Sequence, residues 1–181
     1  ALARQAPMAL LETAPIGPDL DPRHLAGRAF DLAIGRFAAP SEDLVVSELF
    51  QDGFRCLVAP QALPDGATLD RDLYETLPHV VVAPPGKWRT GLHRRMETKG
   101  LRRNIAVTVS HFLTAASTVA RLQGIATVPA KVAALTAGPY GLRNLPVPLD
   151  LGTFPTELAW HPHLRRDQGH SWLRGLIKDI T

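Results

Sequence analysis

The chain is short of cysteine, aromatic residues and long apolar runs, and each shortage excludes a class of protein. Only one of its 181 residues is cysteine, so neither an internal disulfide nor a paired-cysteine metal site is available. That residue, Cys56, lies inside the apolar run Phe54-Arg55-Cys56-Leu57-Val58-Ala59-Pro60 and reads as a small buried hydrophobe. No stretch approaches the roughly 20 apolar residues of a membrane-spanning helix. The opening ALARQAPMALLETAP has neither the basic start nor the cleavage site of a signal peptide, which predicts a chain that is not exported. The glycine patterns of dinucleotide and phosphate loops, the nucleophile elbow of hydrolases and the HExxH zinc signature are all missing. Glu12, Asp31, Glu42, Asp43 and Glu48 have no spacing that makes two of them an acid/base pair. The expectation is a protein without catalysis. Aromatic residues make up 6% of the chain. Its two basic clusters, 93–103 and 163–170, do not interleave aromatics with charge, so they read as solvated surfaces rather than nucleic-acid stripes. The net charge of +3 and the pI near 9.4 fit that reading.

With 45% hydrophobic residues the chain can bury a core. Apolar runs alternate with helix-like stretches, the pattern of an α/β sandwich around mostly parallel sheets. The order predicted is a strand over 8–13, a helix over 21–28 with Asp21 as N-cap and Pro22 at the first helical position, and a strand over 30–35. Strands follow at 45–50 and 54–60, and the turn-rich stretch 61–68 marks a crossover. Helices over 69–78, 88–100, 110–124 and 130–137 then alternate with strands over 79–84, 104–109 and 125–129. Strands at 142–149 and 154–162 lead to a last helix over about 168–180. Residues 1–60 hold too few elements to close a core alone, so the last strand and helix return to them. This gives one lobe from 1–60 plus 155–181 and a second from 61–154, joined by crossings near 57–60 and 155–160.

In open α/β arrangements a ligand meets the carboxyl ends of the strands. Those ends nominate Glu12, Thr13 and Ala14; Gly35, Arg36 and Phe37; Ala83, Pro84 and Pro85; and Ser110, His111 and Phe112. Ser110 suits the N-cap of the next helix, whose N–H groups make a seat for a carboxylate or phenolate. Arg36 is the one cation directly after a strand and is a candidate anion clamp.

Three histidines near the C-terminus need a separate argument. His161 and His163 share a strand face and with His170, Asp167 or Glu157 have the makings of a zinc site. Against this, Pro162 ends the strand between them and no third ligand stands at a fixed spacing. The expectation is no metal. Asp167 serves instead as an N-cap, followed by the apolar stripe Trp172, Leu173, Leu176, Ile177 and Ile180, with Trp172 as the anchor.

Five segments taken together, DLAIGRF (31–37), SELFQDGFRCLVAP (47–60), PHVVVAPPG (78–86), GLRRNIAVTVSHFLTAASTVARLQGIATVPAKVA (100–133) and LAWHPHLRRDQGHSWLRGLI (158–177), resemble the effector-binding domain of LysR-type transcriptional regulators. The likeness is to the branch that includes regulators of nodulation and of aromatic-compound degradation. It covers nearly the whole chain. The resemblance implies a type 2 periplasmic-binding-protein-like α/β fold, two lobes with central mixed sheets joined by two crossing strands. It implies a small effector, aromatic or carboxylate-bearing, held between the lobes. It also implies a cytoplasmic homodimer or homotetramer with no cofactor and no membrane, reaching promoter DNA through an N-terminal winged helix-turn-helix that this sequence does not contain. The family's first strand is also missing, ALARQAP resembling the tail of the helix after it. Carried over by position, the effector contacts are Thr13, Pro15, Gly35, Arg36, Phe37, Ala83, Pro84, Ser110, His111 and Phe112. The hinge is Val58, Ala59 and Pro60 with Glu157, Leu158, Ala159 and Trp160, and helices 21–28 and 111–122 are the oligomerisation candidates. An exported solute-binding receptor of the same fold is the alternative, and an enzyme using His161 and His163 comes third.

Overall fold

The computed structural model describes residues 1–14, 25, 29–37, 43–64, 66–83 and 90–181. The chain divides into two compact units, one formed by Ala1–Gln51 with Phe154–Thr181 and the other by Asp52–Thr153.

The second unit is built on a five-stranded mixed sheet. Its strands are β3 (Phe54–Val58), β4 (Pro78–Val82), β5 (Asn104–Val109), β6 (Ile125–Pro129) and β7 (Arg143–Pro146), in the order β5-β4-β6-β3-β7. β4 runs parallel to both β5 and β6, while β3 is antiparallel to β6 and β7. The sheet is therefore less parallel than the alternation of elements predicts, because β3 enters from the other unit and not through a helical crossover. Successive side chains of a strand face opposite sides. Cys56 and Val58 accordingly enter one core with Tyr74, Met96, Leu101, Ile125 and Leu151, and Leu57 enters the other with Val80, Ala115, Ala116, Val119, Ala126 and Val128. That two-sided burial is why Cys56, Leu57 and Val58 are apolar in succession and do not alternate with polar residues.

Helices α2 (Arg71–Thr76), α3 (Gly91–Thr98), α4 (Phe112–Leu122) and α5 (Ala130–Thr136) cover this sheet. Asp70 caps α2 through the Leu73 N–H at 2.9 Å, and Thr90 caps α3 through the His93 N–H at 3.3 Å. The helix expected over 69–78 stops short, since Pro78 opens β4. Ala115, Ala116 and Val119 form the buried face of α4, small side chains that let the helix lie close on the sheet.

The first unit holds α1 (Leu2–Gln5), the strands β1 (Ala33–Gly35), β2 (Val45–Asp52, its last residue across the boundary) and β8 (Phe154–Trp160), and α6 (Gln168–Ile180). Its sheet has the order β1-β8-β2, with Ala33, Ile34 and Gly35 antiparallel to Ala159, Leu158 and Glu157. Leu25, Ala33 and Ala159 form its buried centre, with Phe30, Phe37, Leu44 and Val46 against it. The helix expected over 21–28 lies outside the described residues apart from Leu25, which is helical and fully buried.

Four expectations need correction. Residues 9–14 form no strand, and Met8, Leu10 and Leu11 are exposed; extended backbone becomes a strand only beside a partner that accepts its hydrogen bonds, and the described residues supply none. The first crossing falls at Gln51/Asp52, not at 57–60, because β3 is already an inner strand of the five-stranded sheet. The turn-rich 61–68 is then an internal loop, beginning in a 3-10 turn at Pro60–Ala62. Trp172 does not anchor α6, being 40% exposed. It lies about 200° round the helix axis from His170 and from Arg174, which reach the Asp31 carbonyl and the Trp160 ring of β8. His170 is buried and its Nε2 donates to the Asp31 carbonyl at 2.9 Å, while the Arg174 guanidinium stacks on the Trp160 ring at 4.6 Å.

Candidate functional site

Because β4, β5 and β6 are parallel, their carboxyl ends meet at one edge of the second unit's sheet. Val82 pairs with Val109 at that edge, and the buried Ala83 donates its N–H to the Val109 carbonyl at 2.9 Å. Ala83 is thus placed beside Ser110, His111 and Phe112, three exposed residues that carry β5 into α4. Pro84 and Pro15 lie outside the described residues.

The cap of α4 differs from the expectation. His111, not Ser110, occupies the N-cap position, with extended backbone at φ −133° and ψ 144°, and its side chain makes no capping bond. A serine caps only from the residue whose carbonyl starts the helix, and here the Ala115 N–H bonds the His111 carbonyl. The N–H groups of the first turn, at Phe112, Leu113 and Thr114, therefore have no side-chain acceptor from the cap residue. Their orientation favours an anion.

The N-terminus of α5 opens at the same edge but is already satisfied. The Asp52 carboxylate, buried, accepts the Lys131 N–H at 3.3 Å and the Gly53 N–H at 2.8 Å, and the Gly53 carbonyl accepts the Ala130 N–H at 3.0 Å. Sequence reasoning missed Asp52 because the turn it caps lies almost 80 positions downstream. The only signal was the Asp-Gly pair after a strand.

In the first unit, Gly35 ends β1 opposite Glu157 of β8. The Glu157 carboxylate accepts the Phe37 N–H at 3.1 Å, which fixes the backbone around the exposed Arg36. Thr13 is exposed and belongs to the segment without a strand partner. Of the predicted hinge residues, Val58 ends β3, Ala59 links it to the 3-10 turn that Pro60 opens, and Glu157 to Trp160 form the second half of β8.

No group of three or more His, Cys, Asp or Glu side chains able to hold a metal stands among the described residues. His161 caps a 3-10 turn (Pro162–Arg166) by accepting the His163 N–H, and the two Nδ1 atoms are 2.5 Å apart. His170 is held elsewhere, between the Asp31 carbonyl and Arg174. Asp167 does cap α6, accepting the His170 N–H at 2.7 Å. Cys56 is fully buried with Thr127 Oγ1 at 3.8 Å, and burial pushes its thiol up to about 12, so it carries no thiolate for chemistry.

The parallel strand ends of the second unit and the helix N-terminus beside them, which lacks a side-chain cap, form the arrangement at which α/β scaffolds seat ligands. The chain belongs to the family described as the LysR substrate binding domain, whose model matches residues 1–180. It is 31% identical over 150 residues to the HTH-type transcriptional regulator SyrM of Rhizobium meliloti, covering 81% of this chain and 45% of that protein. It is 27% identical over 179 residues to the HTH-type transcriptional activator NahR of Pseudomonas putida, covering 99% and 60%. The chain thus spans about half the length of the curated relatives it matches. Among solved structures it is similar to a Vibrio parahaemolyticus protein, with a TM-score of 0.85 and 26% identity over 98% of this chain and 84% of that one. The regulatory domain of MexT, a transcriptional activator in Pseudomonas aeruginosa, gives a TM-score of 0.83 at 23% identity, covering 99% and 87%. The fold is the type 2 periplasmic-binding-protein-like one of these regulatory domains. Both of these relatives are named as transcriptional regulators.

Proposed function

We propose that this chain senses a small anionic aromatic effector on behalf of a DNA-binding transcription regulator. The family match over residues 1–180 carries the reading. The uncapped N-terminus of α4, next to Ala83 and the aromatic ring of Phe112, supports the effector chemistry. In this reading the effector carboxylate or phenolate takes the first-turn N–H groups of α4 and its ring lies on Phe112. Ser110 and His111 contact it there, with Ala83 and Pro84. The protein works in the cytoplasm as a homodimer or homotetramer, contacts promoter DNA through an N-terminal domain of the longer protein, and uses neither cofactor nor catalysis. Effector acts by population shift, each tenfold preference for one arrangement being worth about 1.4 kcal/mol.

Thermal denaturation with benzoate, substituted benzoates and phenols tests this. A ligand that binds only the folded state stabilises it by about 2.7 kcal/mol at one hundred times its Kd. Aromatic carboxylates should raise Tm with concentration, the corresponding amides should not, and Phe112→Ala should remove most of the shift. Equal shifts for acids and amides would sink the anion seat.

A further inference from the structure

The chain passes between its two units twice, at Gln51/Asp52 and at Thr153/Phe154. The strands that make these passages, β2 and β8, are hydrogen-bonded neighbours in the three-stranded sheet of the first unit. Each passage is fastened inside the second unit by one charged side chain. Asp52, buried at the first, accepts the N–H groups of Gly53 and Lys131, and the Gly53 carbonyl takes the Ala130 N–H. Arg95 of α3 fastens the second, its Nη1 donating to the Leu151 carbonyl at 3.0 Å and the Thr153 carbonyl at 3.1 Å. Asp150 tightens the same turn by accepting the Gly152 N–H at 2.7 Å, where Gly152 has φ +67°.

We infer that Asp52 and Arg95 are positioning residues that clamp both crossing strands to the second unit and tie the first crossing to the strand-end edge through α5. Neither is an effector contact. Asp52 lies on the edge itself, since Lys131, whose N–H it accepts, stands in the first turn after β6. A shift of that turn is passed to residue 52 through a charge-assisted hydrogen bond rather than through a flexible loop. Arg95 holds the second passage through its bonds to two carbonyls of the turn, at Leu151 and Thr153. Just before the first clamp Gln51 is exposed, and its amide donates to the nearby Glu48 carboxylate at 2.6 Å. The relay to the edge rests on the proposed effector site; the clamps themselves do not.

Hydrogen–deuterium exchange on the whole chain tests both parts, using Asp52→Asn, which keeps the size and loses one acceptor, and Arg95→Lys, which keeps the charge and loses the two-carbonyl grip. Without ligand, amides 51–54 and 131 should exchange about tenfold faster in the first variant, which is about 1.4 kcal/mol of local stability, and amides 151–154 several-fold faster in the second. Equal exchange in all three proteins overturns the clamps. With benzoate, the unmodified chain should gain protection at 112–114 and at 48–53. In Asp52→Asn the first gain should persist and the second should disappear; persistence of both overturns the relay. Absence of protection at 112–114 in the unmodified chain counts against the proposed effector, and the ligand-free comparison then decides the clamps alone.

Discussion

At the scale of single residues, two positions make sharp predictions. Gly124 links α4 to β6 after Gln123, which takes a left-handed backbone at φ 54°. A Cβ added at Gly124 would run into the Pro78 carbonyl oxygen, a backbone atom that cannot swing aside. Gly124→Ala should therefore cost about 1–3 kcal/mol by urea denaturation, as overpacking does. His79 is fully buried, and its Nε2 donates to the Tyr74 carbonyl at 2.7 Å, leaving Nδ1 with no partner. Burial pushes this imidazole down to about 4, and the nearby Arg103 adds to the effect. An unfolded histidine binds a proton below about 6.5, whereas the folded one resists until pH 4. Stability should be full above pH 6.5, fall as the pH drops through that window and level off below 4, a loss of about 3 kcal/mol. His79→Leu should flatten the profile between pH 6.5 and 4 while costing stability at neutral pH through the orphaned Tyr74 carbonyl. The sequence shows His79 only as the polar start of a strand. Nothing in it says that Tyr74 lies 4.6 Å away, ring edge to ring.

Among the elements, α6 separates what a pattern can show from what it cannot. The apolar period from Trp172 to Ile180 is legible, as is the Asp167 cap, since both are local. Which side of the stripe faces the sheet is decided by the long-range partners of His170 and Arg174, in β8 and at Asp31. Calorimetric melts should rank the variants accordingly. Leu176→Ala should lose about 2–4 kcal/mol as a buried leucine does, and Asp167→Ala about 1 kcal/mol as a lost cap. Trp172→Ala should cost less than Leu176→Ala despite the larger side chain; the reverse order would restore Trp172 as the anchor. The start of α4 teaches the same lesson at one-residue resolution. Ser110 is a fair sequence choice for its cap, yet the helix begins one position later because the strand pairing with β4 continues through Val109, whose carbonyl is taken by Ala83.

For the whole molecule, the alternation of strands and helices was enough to place the strand-end edge of the second unit, with Ala83 and 110–112 on it. It was not enough to place the unit boundary. A strand that serves one sheet and a strand that serves the next look alike in sequence when both are apolar, and β2 passes into β3 across Gly53 with little to mark the change. Asp52 and Arg95, at the two boundaries, are legible only once their distant partners are known. That division also sets an order of assembly during synthesis. The second unit is one uninterrupted stretch, Asp52–Thr153, whereas the middle strand of the first unit's sheet is β8, made after it. On a ribosome adding about 5–20 residues per second, the inner unit is complete in sequence while β1 and β2, made before it, still lack the strand that joins them. β1 and β2 are thus made before the second unit yet close after it, and they wait with open edges until β8 emerges.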